Sequence, residues 1–208
     1  MTSRAGLLSA ALLLCFTRLS YAGSSSSSPL GLEFDSQLGW IQGQHSGGVD
    51  EGATVRLRYR VVTAGVGFQW ATNLFGIMGS FSTVAGLSIP IELVRLDALA
   101  EFGVNGYTGV GSNFLSQDPG ASAAIPFVGA RTSLLARVLR NGRGFSIWLG
   151  PSVQYASDLY SATRTYNYRD KHSDWFTGNS TDELVTRTVR IGQSRWSFLA
   201  TMSMSLPL

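Results

Sequence analysis

Cysteine, lysine and histidine are nearly missing from this chain. Its one cysteine is Cys15, its one lysine is Lys171, and its two histidines, His45 and His172, lie far apart. Cys15 falls in an N-terminal leader, so the remaining chain has no disulfide staple and no cysteine metal site. Metal and nucleophilic chemistry need clustered histidine, carboxylate and hydroxyl groups, and two scattered histidines give little to build from. No cofactor, metal or catalytic residue is expected. His45 with Ser46 is the lone candidate pair for an enzyme acting on lipid A, and His172-Ser173-Asp174 are three consecutive residues of one loop. Charge is scarce as well: Asp, Glu, Lys and Arg make up 14% of the chain, against about 25% in ordinary soluble domains. Of 16 basic residues two, Arg4 and Arg18, belong to the leader, which leaves 14 against 13 acidic ones. That balance excludes a nucleic-acid partner held by net charge. After the leader, no apolar run approaches the roughly 20 residues of a membrane-spanning helix.

The leader itself is informative. A basic start, Met1 to Arg4, precedes an apolar run, Ala5 to Phe16, and Ser20-Tyr21-Ala22 fits a small-x-small cleavage site. Residues 1–22 therefore read as a secretory signal peptide. Residues 23–30 hold the serine tract Ser24 to Ser28, a flexible linker, and residues 31–208 remain as one domain.

What that domain does contain is two-residue alternation. LEFDSQLGW (32–40) sets Leu32, Phe34, Leu38 and Trp40 against Glu33, Asp35 and Gln37. VRLRYRVV (55–62) sets Val55, Leu57, Tyr59 and Val61 against Arg56, Arg58 and Arg60. GVGFQWAT, LSIPIELVRL, LAEFGVNGYTG, FVGARTSLLARVL, FSIWLGPSVQY and RWSFLATMSMSL continue the pattern, giving eight strands. Connections are expected to alternate long and short. Gln42–Gly52, Asn73–Ala85, Val110–Ala123 and Ala156–Arg187 are the long ones. The short ones are Thr63–Gly65, a turn near Asp97, and the Asn141-Gly142 pair. An exported, glycine-rich chain, poor in charge and without a membrane helix, points to an all-β fold: an eight-stranded antiparallel transmembrane up-and-down β-barrel with short periplasmic turns and long extracellular loops. The rival is a soluble lipocalin-like barrel with the apolar face inward. The nearly lysine-free polar faces, rich in serine, glycine and glutamine, argue against it, because a water-facing wall normally carries mixed charge.

With the apolar face on lipid, Glu33, Asp35, Arg56, Arg58, Arg60, Glu92, Glu101, Arg131, Arg137 and Arg195 are expected in the lumen. Arginine forks suit carboxylates in bidentate geometry, and eight strands enclose just enough room for side chains to fill. A salt-bridged interior follows, with a small ion-conducting pore as the alternative. These features resemble the small eight-stranded outer-membrane barrels of the OmpA/OmpX type, over about residues 31–208. The resemblance implies insertion by the barrel-assembly machinery. It also implies a role as structural anchor, adhesion or resistance factor, and more rarely as a lipid-modifying enzyme. The chain departs from that group by ending Leu206-Pro207-Leu208 rather than on an aromatic residue, and by placing Pro90 and Pro151 within strands.

The longest connection, 156–187, concentrates Tyr160, Arg164, Tyr166, Tyr168, Arg169, Trp175, Phe176 and Arg187. Tyrosine, tryptophan and arginine are the residues enriched at interface hot spots. TRTYNYRD and ELVTRTVR also alternate, so a hairpin protruding from the last two strands is expected. Its partners would be an extracellular protein or surface component, with outer-membrane lipid and lipopolysaccharide around the barrel.

Overall fold

The computed structural model describes residues 29–43, 47–73, 76–111, 118, 120–142, 144–173 and 180–208. The described residues form ten strands: β1 (Leu30–Gly43), β2 (Gly47–Tyr59), β3 (Val62–Asn73), β4 (Gly76–Ile91), β5 (Val94–Val110), β6 (Ala121–Arg140), β7 (Ser146–Asp158), β8 (Ala162–Ser173), β9 (Ser180–Ile191) and β10 (Ser194–Pro207). Eight of them close a barrel in the order β1-β10-β7-β6-β5-β4-β3-β2, every pair antiparallel, and β8 with β9 makes a separate two-stranded sheet.

Period-two sequence decides which side chain meets which environment. In β5, Arg95, Asp97, Leu99, Glu101, Asn105 and Tyr107 are buried, while Val94, Leu96, Phe102 and Val104 are exposed. The same parity runs round the wall. Leu57, Val66, Phe68, Phe81, Phe102, Val104, Leu134, Leu149 and Phe198 form an outward apolar band, and Phe102 alone is 56% exposed. So wide a band of exposed apolar side chains has no place on a soluble monomer. Against hydrocarbon it is the favourable surface, with the charged side chains inside. This geometry rules out the lipocalin-type arrangement. Trp40, Trp70, Tyr155 and Trp196 cluster near one end of the band, and Tyr155 and Trp196 lie 4.9 Å apart, centroid to centroid. That placement matches the aromatic girdle of an interface.

Inward glycines let the wall bend. A Cβ on Gly65 would lie 1.9 Å from the Val55 carbonyl oxygen, and one on Gly39 would lie 2.0 Å from that of Phe198. Only glycine permits such close approach of neighbouring strands. Pro151 lies where the β6–β7 ladder is interrupted, between the pairs Ser133↔Ser152 and Ala136↔Leu149, so its missing N–H falls at a gap in the ladder. Pro90 sits one residue from the end of β4, opposite Arg95 in the ladder and exposed at the barrel's short-turn end.

Several expectations need correction. Residues 76–85 are the outer half of β4, not a loop; the β3–β4 connection is confined to 74–75. Within the run FGIMGSF, Ile77 and Phe81 face outward while Met78 packs inside the barrel end. The connection at 42–52 likewise shrinks to 44–46, since β2 begins at Gly47. The short turn between β2 and β3 is Arg60-Val61, with Thr63–Gly65 inside β3, and that between β4 and β5 is Glu92-Leu93, with Asp97 inside β5. Length asymmetry therefore rests on the last two outer connections rather than on all four. The hairpin, too, does not continue β7 and the final strand in line: Leu159–Ser161 and Gly192–Gln193 break it from the barrel.

Candidate functional site

The lumen is a charged core. Six arginines (Arg56, Arg58, Arg95, Arg131, Arg137, Arg195) and six carboxylates (Glu33, Asp35, Asp50, Asp97, Glu101, Asp158) face inward among the described residues. The interior is therefore electrically balanced. Neighbouring strands supply opposite signs: Glu33 is registered opposite Arg56 across β1–β2.

Arg56 is the hub. Its Nη2 lies 3.2 Å from Glu33, 2.9 Å from Asp35 and 3.0 Å from Asp97. Arg58 Nε approaches Glu33 at 3.0 Å. Arg95 bonds Glu33 at 3.3 Å and Asp97 at 3.0 Å, and donates to the hydroxyls of Ser205 and Ser203 at 3.1 and 2.7 Å. Arg131 pairs with Glu101 at 3.4 Å and donates to Thr54 at 3.2 Å. Buried charges are tolerable only when paired, and each of these arginines has a carboxylate partner, with groups drawn from five of the eight strands. Arg56 Nε and Nη1 and Arg95 Nε find no hydrogen-bond partner among the described residues. Apolar residues fill the remaining space: Leu99, Leu135, Val84 and Leu199 also point inward. The Trp148 ring is flanked by Arg95 at 5.4 Å and Arg137 at 5.5 Å.

The connections cross the barrel's diameter. In the ring order, β1 faces β5, β2 faces β6 and β3 faces β7. Arg95 to Glu33 spans the first pair and Arg131 to Thr54 the second; Gln69 to Gln154, at 3.0 Å, spans the third. Gln69 also donates to Asp50 at 2.7 Å and Gln154 to Glu101 at 2.7 Å, which forms a four-residue chain of polar groups across the interior.

Nearer the looped end, Arg195 donates to Asn105 at 2.9 Å and stacks over Phe127 at 5.2 Å. Asp158 accepts from the Tyr107 hydroxyl at 2.6 Å and from the Gln193 backbone N–H at 2.8 Å. That last bond ties the base of the β8–β9 hairpin to the lumen. An apolar collar of Ile41, Ala71, Met78, Tyr107, Ala121, Ile125 and Ile191 lies at this end.

The structure brings Glu33, Asp35, Arg56, Arg58, Glu101 and Arg131 into one network and puts Arg195 in a second. It stacks Arg137 on Trp148. Arg60 and Glu92 are not in the lumen. Both occupy the first position of a two-residue turn, at φ 56° and 50°, and both are exposed. A tight turn ends the alternation, so parity extrapolated from the strand fails there. Sequence reasoning missed Arg95, Asp97, Asp50 and Asp158, while the alternation of β5 did place Asn105 on the face of Glu101. The signal for Arg95 and Asp97 was their even spacing with Glu101, obscured by placing the turn near Asp97.

On the hairpin, Tyr166, Tyr168 and Arg187 share one face with Ala162, Arg164, Val185, Val189 and Ile191. Asp118, from the β5–β6 connection, accepts from Arg187 at 2.8 Å and from the Tyr166 hydroxyl at 3.2 Å. Arg187 also donates to the Gly111 carbonyl at 2.6 Å. The hydrogen bond to Asp118 holds the Arg187 pKa above its ordinary value. Desolvation, then the bond to Asp118, raises that of Tyr166. The opposite face carries Thr163, Thr165, Asn167, Thr186 and Thr188, with Thr165 and Thr188 hydroxyls 2.9 Å apart. Tyr160 is exposed at the corner into β8, and Arg164 and Arg169 are exposed on the hairpin. Trp175, Phe176, His45 and Ser46 lie outside the described residues.

No protein-family model and no curated protein matches this sequence. Among solved structures, Neisserial surface protein A overlays at a TM-score of 0.52, with 11% identity, over 88% of this chain and 100% of that one. This is the fold of the small outer-membrane β-barrels. Looser overlap is found with the β-domain of the Bordetella autotransporter BrkA (TM-score 0.37, 12% identity, 85% of this chain and 99% of that one). The translocator domain of NalP from Neisseria meningitidis overlaps at 0.33, with 9% identity over 98% and 97%. For a small outer-membrane barrel the observed polarity is the expected one: apolar wall on lipid, charged groups enclosed.

Proposed function

We propose that this chain is an integral outer-membrane barrel with a structural and surface-interaction role, its β8–β9 hairpin being the part that meets a partner. The observation that carries this reading is the contrast between a lumen bridged across three diameters and a hairpin paired with no barrel strand. Bonds across three diameters narrow the lumen, which disfavours the pore. The hairpin offers unpaired strand edges, and such edges accept an extended strand from a partner through main-chain hydrogen bonds. Exposed Tyr160, Arg164 and Arg169 add side chains of the type found at interface hot spots.

The test is removal of residues 163–188. The shortened chain is expected to insert and to keep a heat-shifted band in SDS gels, and to lose adherence of whole cells to host or neighbouring surfaces. Retained adherence would count against the hairpin. In a planar bilayer the intact protein is expected to be silent; discrete conductance that changes on Arg58→Glu would establish the pore instead.

A further inference from the structure

The strained turn between β2 and β3 points to a ligand site. Arg60 opens that turn at φ 56°, a region where glycine or asparagine is favoured and where a long side chain stores strain. The surroundings hold it there from three sides. The Arg60 N–H donates to the Pro29 carbonyl at 2.8 Å, the Arg60 carbonyl accepts from Arg58 Nη1 at 3.1 Å, and Ser88 N–H donates to the next carbonyl, Val61, at 2.7 Å. The result is a fixed turn backbone from which the Arg60 side chain departs. The guanidinium lies over the Tyr59 ring, 5.7 Å from its centroid.

Tyr59 is the last outward residue of β2, 56% exposed, and Leu57 and Val62 beside it are equally bare. Stacking on Tyr59 therefore holds the Arg60 cation against the outer wall, at the edge of the apolar band, rather than beneath the barrel mouth. Among the described residues the guanidinium has no carboxylate partner, unlike Arg56, Arg58, Arg95 and Arg131. An unpaired arginine fork held where hydrocarbon gives way to headgroups is matched to a phosphate oxyanion.

We propose that Tyr59 and Arg60 form a preorganised site for the phosphate of a phospholipid headgroup in the leaflet at the short-turn end of the barrel. The phosphate receives the guanidinium N–H groups, and the acyl chains lie along Leu57 and Val62. The proposal rests on the barrel being embedded in lipid and is independent of any role for the hairpin.

The test uses the full chain, folded in detergent and mixed with phosphatidylglycerol, with bound lipid counted by native mass spectrometry. Arg60→Gly removes the fork while relieving the strain. It is expected to fold with an unchanged or higher urea midpoint, yet to retain about fivefold less lipid, the scale of one charge-assisted contact. Arg60→Lys keeps the charge without the planar fork and is expected to fall between. Equal lipid retention in wild type and Arg60→Gly overturns the proposal. Inorganic phosphate is the second arm: millimolar phosphate is expected to leave bound lipid in place, and full displacement would assign the site to free phosphate and overturn the lipid. Failure of the wild type to show a heat-shifted band would overturn the membrane reading itself, a result distinct from loss of the site.

Discussion

The lumen and the β8–β9 hairpin are both rich in arginine, and they hold it differently. Inside the barrel, Arg56 is fully buried and faces Glu33, Asp35 and Asp97 from two other strands. On the hairpin, Arg164 is exposed, Arg190 is exposed and donates to the Ser161 hydroxyl at 2.7 Å, and Arg187 is fastened to the barrel's loops through Asp118 and the Gly111 carbonyl. Out of water, a guanidinium must be matched by carboxylates at bonding distance or be destabilising by several kcal/mol. In water the same group needs no match and is free to meet something else. The residue type is the same; the surrounding medium sets its role.

The sharpest way to break this contrast is inside the barrel. Arg56→Met removes the cation shared by three buried carboxylates, leaving them an excess of negative charge against Arg58, Arg95 and Arg131, and is expected to destabilise the folded barrel by about 3–5 kcal/mol, read as a fall in the urea midpoint of unfolding from lipid or detergent. The same exchange at Arg164 is expected to stay within about 0.5 kcal/mol; equal losses at the two sites would end the distinction. Next in size is the outer wall. Phe102→Arg puts a charge on the lipid face and is expected to cost about 2–4 kcal/mol, whereas Leu184→Arg, on an equally bare hairpin position (65% exposed), is expected to shift stability by less than about 0.5 kcal/mol. Together these separate lipid-facing from water-facing exposure.

Smaller still is the latch. Arg187→Ala removes the bonds to Asp118 and Gly111, a partly exposed interaction of about 1 kcal/mol or less. Amide exchange across β8 and β9 is expected to quicken while β5 and β6 keep their protection. The smallest effect is alkaline. Tyr166 has its pKa raised by desolvation and by Asp118, so the docked hairpin keeps the proton longer than the undocked one. Its contribution is complete below the ordinary tyrosine value of about 10 and is lost as pH rises through the docked value. Exchange in the hairpin should therefore quicken above that pH in wild type, and Tyr166→Phe should remove the dependence.

Much of this was readable along the chain because a strand has a strict period of two. Once Leu57 faces lipid, Arg56 and Arg58 must face inward, and the same parity carries Glu33, Asp35, Glu101, Arg131 and Arg195. Parity is lost where the chain leaves the ladder. Arg60 and Glu92 look like continuations of their strands, since neither glycine nor asparagine announces the positive φ they adopt. Asp50 was hidden for the opposite reason: Gly47, Gly48 and Gly52 resemble a loop, yet they are strand residues of a wall that bends. Glycine means turn in most sequences and close strand approach in a small barrel, and local composition does not separate the two.

The sequence alone determined the alternation, the apolar outer band, the scarcity of lysine and the presence of inward charge of both signs. These follow from local periodicity and composition, which need no knowledge of partners. Only the tertiary structure decided which carboxylate answers which guanidinium, that the bonds cross the diameter, and that β8–β9 separates from the wall and leans on Asp118. Those are pairings between residues up to 110 positions apart. Barrel closure and strand stagger set them, and no stretch of chain contains both halves of such a pair.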